Sequence, residues 1–219
     1  MNWNSPDSIH NVLSQLSFYC APGWVLGLLG MAFILGIVVG CVTVTRMGDI
    51  WGRKYIFMAG LALNAVLTVV IVFSDMPWLD TVMFFFMGYA LTMIKYVGYA
   101  YMVEMMPAKY DVLAGTIQFL FTSVIYICCC LYFMLISRRW RYLMIADLVL
   151  SIFGVVSLIF MPESPRFLIT KKKYDEARKA FNLIAKMNGI GENKADEFRF
   201  KDDLTQEESI KAEKTGILK

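Results

Sequence analysis

The charged residues best placed to do chemistry lie in one short stretch, Arg46-Met47-Gly48-Asp49-Ile50-Trp51-Gly52-Arg53-Lys54. On either side of it, the chain runs through uncharged segments that are each long enough to cross a bilayer, which needs about 20 apolar residues. The stretch places one carboxylate, Asp49, among several basic groups. We therefore expect a tight, charged hairpin between two helices at the membrane surface.

Two single charges, Lys95 and Asp147, lie inside otherwise apolar runs. A charge at such depth costs about 2.5–3.5 kcal/mol on insertion scales, so each should face protein, water or a partner. Lys95 is thus a functional candidate; alternatively, it reaches the membrane surface or pairs with Asp147 or a neighbouring chain. Asp147 could be a proton or substrate site, but the favoured interpretation is hydrogen bonding inside the helical bundle.

The chain shows no pattern typical of an enzyme. His10 is the sole histidine, and neither a glycine-rich phosphate loop after a strand nor a nucleophile elbow occurs. The five cysteines form no disulfide framework and no metal-binding spacing, because Cys128, Cys129 and Cys130 lie in an apolar run where thiols behave as small hydrophobes. We expect no catalytic residues, no cofactor and no metal. A net charge of +3 gives no reason to expect a nucleic-acid partner.

Composition predicts an all-α membrane protein whose first partner is the lipid bilayer. Hydrophobic residues make up 58% of the chain and charged residues 18%, against about 25% charged in a soluble domain, and the mean hydropathy is +0.56. Residues 1–22 are predicted to be an extramembrane segment and residues 190–219 a polar, charged tail. Residues 23–162 form a bundle of five predicted spans, at about 24–45, 55–73, 81–103, 112–137 and 142–161.

Small residues in the first span predict close helix packing. Gly23 and Gly27, and again Gly36 and Gly40, are spaced so that both members of each pair lie on one helix face, where another backbone can approach. Tight packing is favoured over a ligand-lining role.

After residue 162 the chain becomes polar and predicts a surface amphipathic helix over residues 163–189. Ser164 followed by Pro165 is typical of a helix start. Apolar residues at Ala177, Phe181 and Ile184 recur at helical spacing, and a glycine at 189 supplies a stop. We expect this helix to lie on the membrane face of the bundle.

Several of these segments resemble one family. Asp49-Ile50-Trp51-Gly52-Arg53-Lys54 looks like the loop signature of the major facilitator superfamily, between its second and third helices. Pro162-Glu163-Ser164-Pro165-Arg166-Phe167-Leu168 is similar to the segment after the sixth helix in the sugar-porter and organic-ion branches. Residues 174–189 resemble the intracellular helix of organic cation and anion transporters, and Glu104-Met105-Met106-Pro107 also falls where that branch carries such residues.

The resemblance implies the second to sixth helices and the intracellular helix of a twelve-helix transporter, an incomplete N-terminal half. In this family, carboxylate and guanidinium pairs near the loop signature act as a conformational latch. Its members here would be Asp49, Gly52, Arg53, Lys54, Glu104, Glu163 and Arg166. Asp111 stands where the family favours arginine, so we expect the latch to be partly dismantled. Remaining pairs of Arg53 and Asp49 are expected within residues 104–111, within the Glu163-Arg166 segment, or with another subunit.

Three functional hypotheses follow. The favoured one is a transporter-derived structural or accessory subunit that fills a position in a larger membrane complex with other membrane subunits. The second is half of a solute transporter, which moves a small organic ion or sugar by alternating access with a complementary chain. The third is that the chain is part of a full transporter. Because the sequence holds no Asn-x-Ser/Thr sequon, an internal membrane such as the mitochondrial inner membrane is favoured over the plasma membrane.

Overall fold

The computed structural model describes residues 22–137 and 139–189, and within these ranges nearly every residue is helical. It divides the chain into two units, residues 1–161 and residues 162–219, which are described separately. Residues 1–21 of the predicted N-terminal segment (1–22) and the whole predicted polar tail (190–219) lie outside the described residues. The helices are α1 (Gly23–Trp51), α2 (Arg53–Phe73), α3 (Pro77–Thr92), a π-helical turn (Met93–Val97), α4 (Gly98–Glu104), a 3₁₀ turn (Ala108–Tyr110), α5 (Asp111–Leu131), a second π-helical turn (Tyr132–Ile136), α6 (Arg141–Phe160), α7 (Pro165–Thr170) and α8 (Tyr174–Met187).

Five helical segments of the first unit are long and apolar enough to cross a membrane, which confirms the prediction of an all-α membrane protein. Helices α1, α2 and α6 are three of these spans. The third span is continuous from Pro77 to Glu104 through α3, the first π-helical turn and α4. The fourth runs from Asp111 to Ile136 through α5 and the second π-helical turn.

Helices α1 and α3 are held together by a close backbone crossing. A Cβ added at Gly36 would collide with the carbonyl oxygen of Phe85, and one added at Gly88 would collide with the carbonyl oxygen of Phe33. One turn further along α1, a Cβ on Gly40 would lie 2.7 Å from the Thr92 hydroxyl oxygen. Only glycine permits this distance between the helices, as predicted for the Gly36 and Gly40 pair.

The other predicted glycine pair has no such contact. Nothing lies within 4 Å of a Cβ added at Gly23, Gly27 or Gly30 among the described residues. Their spacing alone could not distinguish them from Gly36 and Gly40, because a small-residue pair requires a facing helix before it becomes a packing site.

The interior of the bundle is small and lies where α1, α2 and the first π-helical turn meet. Val44, Ile56, Met93 and Val97 form its buried cluster. Helix α6 packs along α2 on the other side, and Ser151 and Leu158 are its buried residues. Each of these elements therefore contributes one apolar stripe to the bundle and leaves the remainder of its surface facing outward.

Helix α5 is the least covered of the five spans. Its buried residues are Ala114 and Gly115, both in its first turns, and no residue in the most apolar stretch of the fourth span is buried. Phe119, Phe121 and Tyr126 are each at least 66% exposed. The face of α5 is thus open to lipid or to further helices.

The second unit contains two helices where the sequence predicted one amphipathic helix over residues 163–189. As predicted, Ser164 caps the first of them, since its hydroxyl accepts a hydrogen bond from the Phe167 N–H at 3.3 Å. The chain then turns at residues 171–173, which allows Leu168 of α7 to pack on Ala177 and Ala180 of α8. Burial of this small apolar cluster explains why one continuous helix is not formed.

The glycine crossing gives a test of the fold. Replacing Gly36 by valine forces its side chain into the Phe85 backbone, so we expect the free energy of unfolding to fall by about 1–3 kcal/mol, as for other overpacked interiors. Gly30→Val is the matched control in the same helix, and it should change stability by about 0.5 kcal/mol or less. Thermal unfolding in detergent measures both, and equal destabilisation by the two variants would contradict the crossing.

Candidate functional site

The charged stretch at residues 46–54 contains only one non-helical residue. Helix α1 continues to Trp51 and α2 begins at Arg53, so the predicted hairpin loop is reduced to Gly52. Gly52 has a φ of 104°, a conformation that glycine adopts without the steric cost that other residues incur. The helix thus extends past residue 45, the predicted end of the first membrane span, since charged residues can continue a helix beyond the apolar core.

Arg53 links the start of α2 to two carboxylates. One guanidinium nitrogen, Nη2, lies 2.7 Å from Asp49 Oδ1, and the other, Nη1, lies 2.8 Å from Glu104 Oε1. The side chains of Arg53 and Glu104 are 24% and 15% exposed, whereas Asp49 is 59% exposed. The pair with Glu104 is therefore less screened by water and joins the helix turn to the distant end of α4.

The charge reversal at Asp111 does not remove this pair. Asp111 is the first residue of α5, where the unpaired N–H groups of a helix favour a carboxylate. The prediction that Arg53 pairs within residues 104–111 agrees with the position of Glu104. The cluster of Asp49, Arg53 and Glu104 is called the Arg53 cluster below.

Lys54 has a role that the sequence did not reveal. Its ammonium donates a hydrogen bond to the Met161 carbonyl oxygen at 2.6 Å and lies 3.4 Å from the Ile159 carbonyl oxygen. These carbonyls end α6, and a cation is favoured at the C-terminus of a helix. Lys54 thus fastens the start of α2 to the end of α6, a contact between residues more than a hundred positions apart that no local pattern indicates.

The remaining predicted latch residues, Glu163 and Arg166, belong to the second unit. Glu163 Oε1 accepts a hydrogen bond from the Ser164 N–H at 3.0 Å. Arg166 is exposed on α7. Their role in a latch stays a prediction.

Asp147 lies in a cluster of polar side chains between α2 and α6. Its Oδ2 accepts hydrogen bonds from Asn64 Nδ2 at 2.9 Å and from Thr68 Oγ1 at 3.3 Å. Asn64 also donates to Ser151 Oγ at 3.1 Å. Asp147 thus makes hydrogen bonds inside the bundle, which is the interpretation that the sequence favoured. Both donors to its Oδ2 come from α2.

Lys95 does not pair with Asp147. Its ammonium donates to Thr122 Oγ1 of α5 at 3.3 Å, and no carboxylate pairs with it among the described residues. Lys95 is exposed and lies in the middle of the first π-helical turn. The predicted alternative of a Lys95–Asp147 ion pair was wrong, because Asp147 lies against α2 while Lys95 lies against α5.

A groove of about 610 Å³ opens beside Lys95. It is lined from α2, the third span, α5 and α6, mostly by aromatic, aliphatic and methionine side chains. Lys95 is the one charged residue among the described residues that line it, and Gln118 and Ser157 are further polar contributors. This space is called the Lys95 groove below. Within the described part of the chain, no cluster of His, Cys, Asp or Glu could hold a metal ion.

Comparison with known proteins gives one consistent family. Residues 10–216 match the model of the family described as sugar (and other) transporter. Solute carrier family 22 member 4 of Mus musculus is 26% identical over 183 residues, which cover 83% of this chain and 33% of that protein.

Two further relatives show the same pattern. The organic cation transporter protein of Drosophila melanogaster is 25% identical, with 83% of this chain and 33% of that protein covered. A hexose transporter of Saccharomyces cerevisiae is 29% identical, and the match covers 75% of this chain and 31% of that protein. The chain thus spans about a third of the length of these curated relatives.

The Arg53 cluster gives a second test. In a double-mutant cycle with alanine, the coupling energy between Arg53 and Glu104 should be about 1.5–3 kcal/mol, as for hydrogen bonds to charged groups in protected sites. The cycle between Arg53 and the exposed Asp49 should give about 0.5 kcal/mol or less, and that coupling should weaken further in 1 M salt. Chemical or thermal unfolding in detergent measures both cycles. Equal coupling energies would show that the pair of Arg53 with Glu104 stabilises the protein no more than the exposed pair with Asp49.

Proposed function

Because the chain belongs to the sugar (and other) transporter family of the major facilitator superfamily, we propose that its five spans form part of the substrate pathway of a membrane transporter. The substrate is a small organic ion or a sugar, and the spans act together with additional helices that complete the pathway. The observation that carries this proposal is the Lys95 groove, which opens between four of the spans and carries one exposed charge within the third span.

A passage for a polar solute needs charge or polarity that is not already used in packing. Lys95 meets this condition, since its only hydrogen bond given by the structure is to the neutral hydroxyl of Thr122. Intramembrane ionisable groups that face a cavity are typical of solute and ion pathways. The volume of the groove, about 610 Å³, lies within the range of roughly 300–1,000 Å³ that is usual for sites of small organic ligands.

Alternating access further needs contacts that hold one conformation and can be released. The Arg53 cluster supplies such contacts, because its ion pairs connect α2 to α1 and α4 and can be released when these helices move. Lys54 fastens α2 to α6 nearby, so the start of α2 moves together with the end of α6. In this mechanism, movement of the pathway breaks or remakes the pair of Arg53 with Glu104 while the contact of Lys54 persists.

The need for additional helices is supported by the exposed face of α5. A span without a buried residue in its most apolar stretch gains little from the bundle described here. The matched segment covers 33% of each of these relatives, so a longer transporter polypeptide has room for further helices that could cover such a face. The covering helices for this chain are supplied either by a second polypeptide or by further residues of the same one.

A structural or accessory subunit of a larger membrane complex is the second candidate. The observation that favours it is the hydrogen bonding of Asp147, since one of the two predicted intramembrane charges holds α2 and α6 together. A transporter-derived scaffold would keep such packing and lose the pathway. In that case the protein should be found solely in a large complex that has no uptake activity of its own.

The chain is a multi-pass membrane protein. We propose an internal membrane, with the mitochondrial inner membrane as one possibility to test, on the basis that the sequence contains no Asn-x-Ser/Thr sequon. Separation of organelles followed by immunodetection gives the location directly. Enrichment with a plasma-membrane marker would overturn this part of the proposal.

Uptake by proteoliposomes tests the transport proposal. The protein is purified in mild detergent with whatever remains bound to it and is then reconstituted. Labelled tetraethylammonium, benzoate and glucose serve as a cation, an anion and a sugar. We expect saturable uptake of one of them, and Arg53→Ala should reduce the initial rate at least tenfold because the contact that holds one conformation is lost.

Thr116→Val is the matched control, since Thr116 is exposed and its hydroxyl bonds to the Val112 carbonyl in its own helix. This variant should retain uptake. No saturable uptake of any probe, with the protein present in one large and stable complex, would overturn the transport proposal in favour of the scaffold.

A further inference from the structure

We propose that the Lys95 groove binds amphipathic organic anions, with the anionic group at Lys95 and the apolar body along the methionine and aromatic lining. This inference deepens the proposed function by naming the charge class of the ligand, and it rests on that function only for the step from binding to transport. Organic cations, which the names of several relatives mention, are the class that it excludes from this groove.

The first argument is the depth of the lysine. Lys95 lies nine residues before Glu104, where the third span ends, and at about 1.5 Å per residue this is roughly 14 Å along the helix. Lys95 therefore lies well inside an apolar span of 28 residues and away from both of its ends. A charge in such a position favours an ionic partner, and a bound anion would compensate it.

The second argument is the absence of an acidic partner in the part of the chain that the structure describes. Thr122 Oγ1 lies 3.3 Å from the Lys95 ammonium and itself donates to the Gln118 carbonyl, so it gives a neutral partner to a full positive charge. The lining of the groove includes no carboxylate among the described residues. A lysine ammonium has three donors, and two of these remain available for a carboxylate or sulfonate.

The third argument is the shape of the helix at Lys95. The five residues Met93–Val97 form a π-helical turn inside the third span, with Lys95 at its centre. Such turns interrupt the regular hydrogen bonding of a helix and occur frequently at functional sites. The turn changes the direction in which side chains leave the helix, and here it is followed by Gly98, which also lines the groove.

The fourth argument is the apolar character of the remaining lining. Phe57, Leu61 and Phe153 lie along the groove, and Met102 and Met105 add flexible, polarisable side chains that adapt to ligands of different shape. A small hydrophilic anion would leave this surface unused. An anion that carries a hydrocarbon or aromatic body would bury it and gain from the hydrophobic effect.

Equilibrium binding to the purified protein in discs of zwitterionic lipid tests the proposal. The probe is dansylaminoundecanoate, and its methyl ester and the amine with the same body are the neutral and cationic counterparts. Fluorescence is corrected with empty discs. We expect the carboxylate to bind at least tenfold more tightly than either counterpart. Equal affinity for the carboxylate and the ester would overturn the proposal.

Variants locate the site. Lys95→Gln should weaken binding of the carboxylate at least tenfold, whereas Lys95→Arg should keep it within about threefold because the charge remains. Lys109→Gln removes an exposed lysine outside the groove and should leave binding unchanged. Ser157→Leu fills the groove while keeping Lys95, and it should weaken the carboxylate and the ester alike. Unchanged affinity in Lys95→Gln would remove this lysine from the site.

Other occupants of the groove would give different results. If discs with one fifth anionic phospholipid abolish probe binding, a lipid headgroup is the resident anion and the proposal for a free ligand fails. If a photoreactive diazirine analogue labels a co-purifying polypeptide and not the groove, a partner helix occupies the space and the proposal also fails. Binding without uptake would overturn the transport function alone, and uptake without Lys95-dependent binding would overturn this inference alone.

Discussion

The structure depends on one constraint, which is that polar and charged groups within apolar helices must find partners inside the protein. Asp147 meets this constraint with Asn64 and Thr68, and in doing so holds α2 against α6. Hydrogen bonds of this kind contribute about 0.6 kcal/mol each in membrane proteins, but a carboxylate left without them would be far more costly. On this side of the bundle, the same hydrogen bonds therefore pair the Asp147 carboxylate and hold the two helices together.

On the other side of the bundle, helix packing does not depend on hydrogen bonds between polar side chains. Helices α1 and α3 approach through glycine backbones and need no polar side chain to join them. After this crossing the third span continues into a π-helical turn at Met93–Val97. That turn carries Lys95, whose charge is only partly satisfied by Thr122. The bundle thus contains one carboxylate that is hydrogen-bonded between two helices and one exposed ammonium whose hydrogen bond is to a neutral hydroxyl.

The membrane helices and the start of α7 could be predicted from the sequence because they depend on local chemistry. Runs without charge indicated five membrane helices, and Ser164 with Pro165 indicated the start of α7. The sequence could not show which residues of one helix face a neighbouring helix. Gly23 and Gly27 have the same spacing as Gly36 and Gly40, yet only the second pair meets another helix. Lys54 lies within a signature that suggested a latch, but its hydrogen bonds to the end of α6 depend on how α2 and α6 pack.

The same distinction applies to the charged cluster at the membrane surface. The reversal of charge at Asp111, relative to the family pattern, predicted that the latch in this region is partly dismantled. In three dimensions Glu104 is the residue that reaches Arg53, at 2.8 Å, and Asp111 is the first residue of α5, where its buried Oδ1 has no hydrogen-bond partner among the described residues. A departure from a family pattern therefore weakens a mechanism only when the altered side chain is the one that makes the contact. Here Glu104 makes the contact, so the ion pair that joins α2 to α4 does not depend on the residue at position 111.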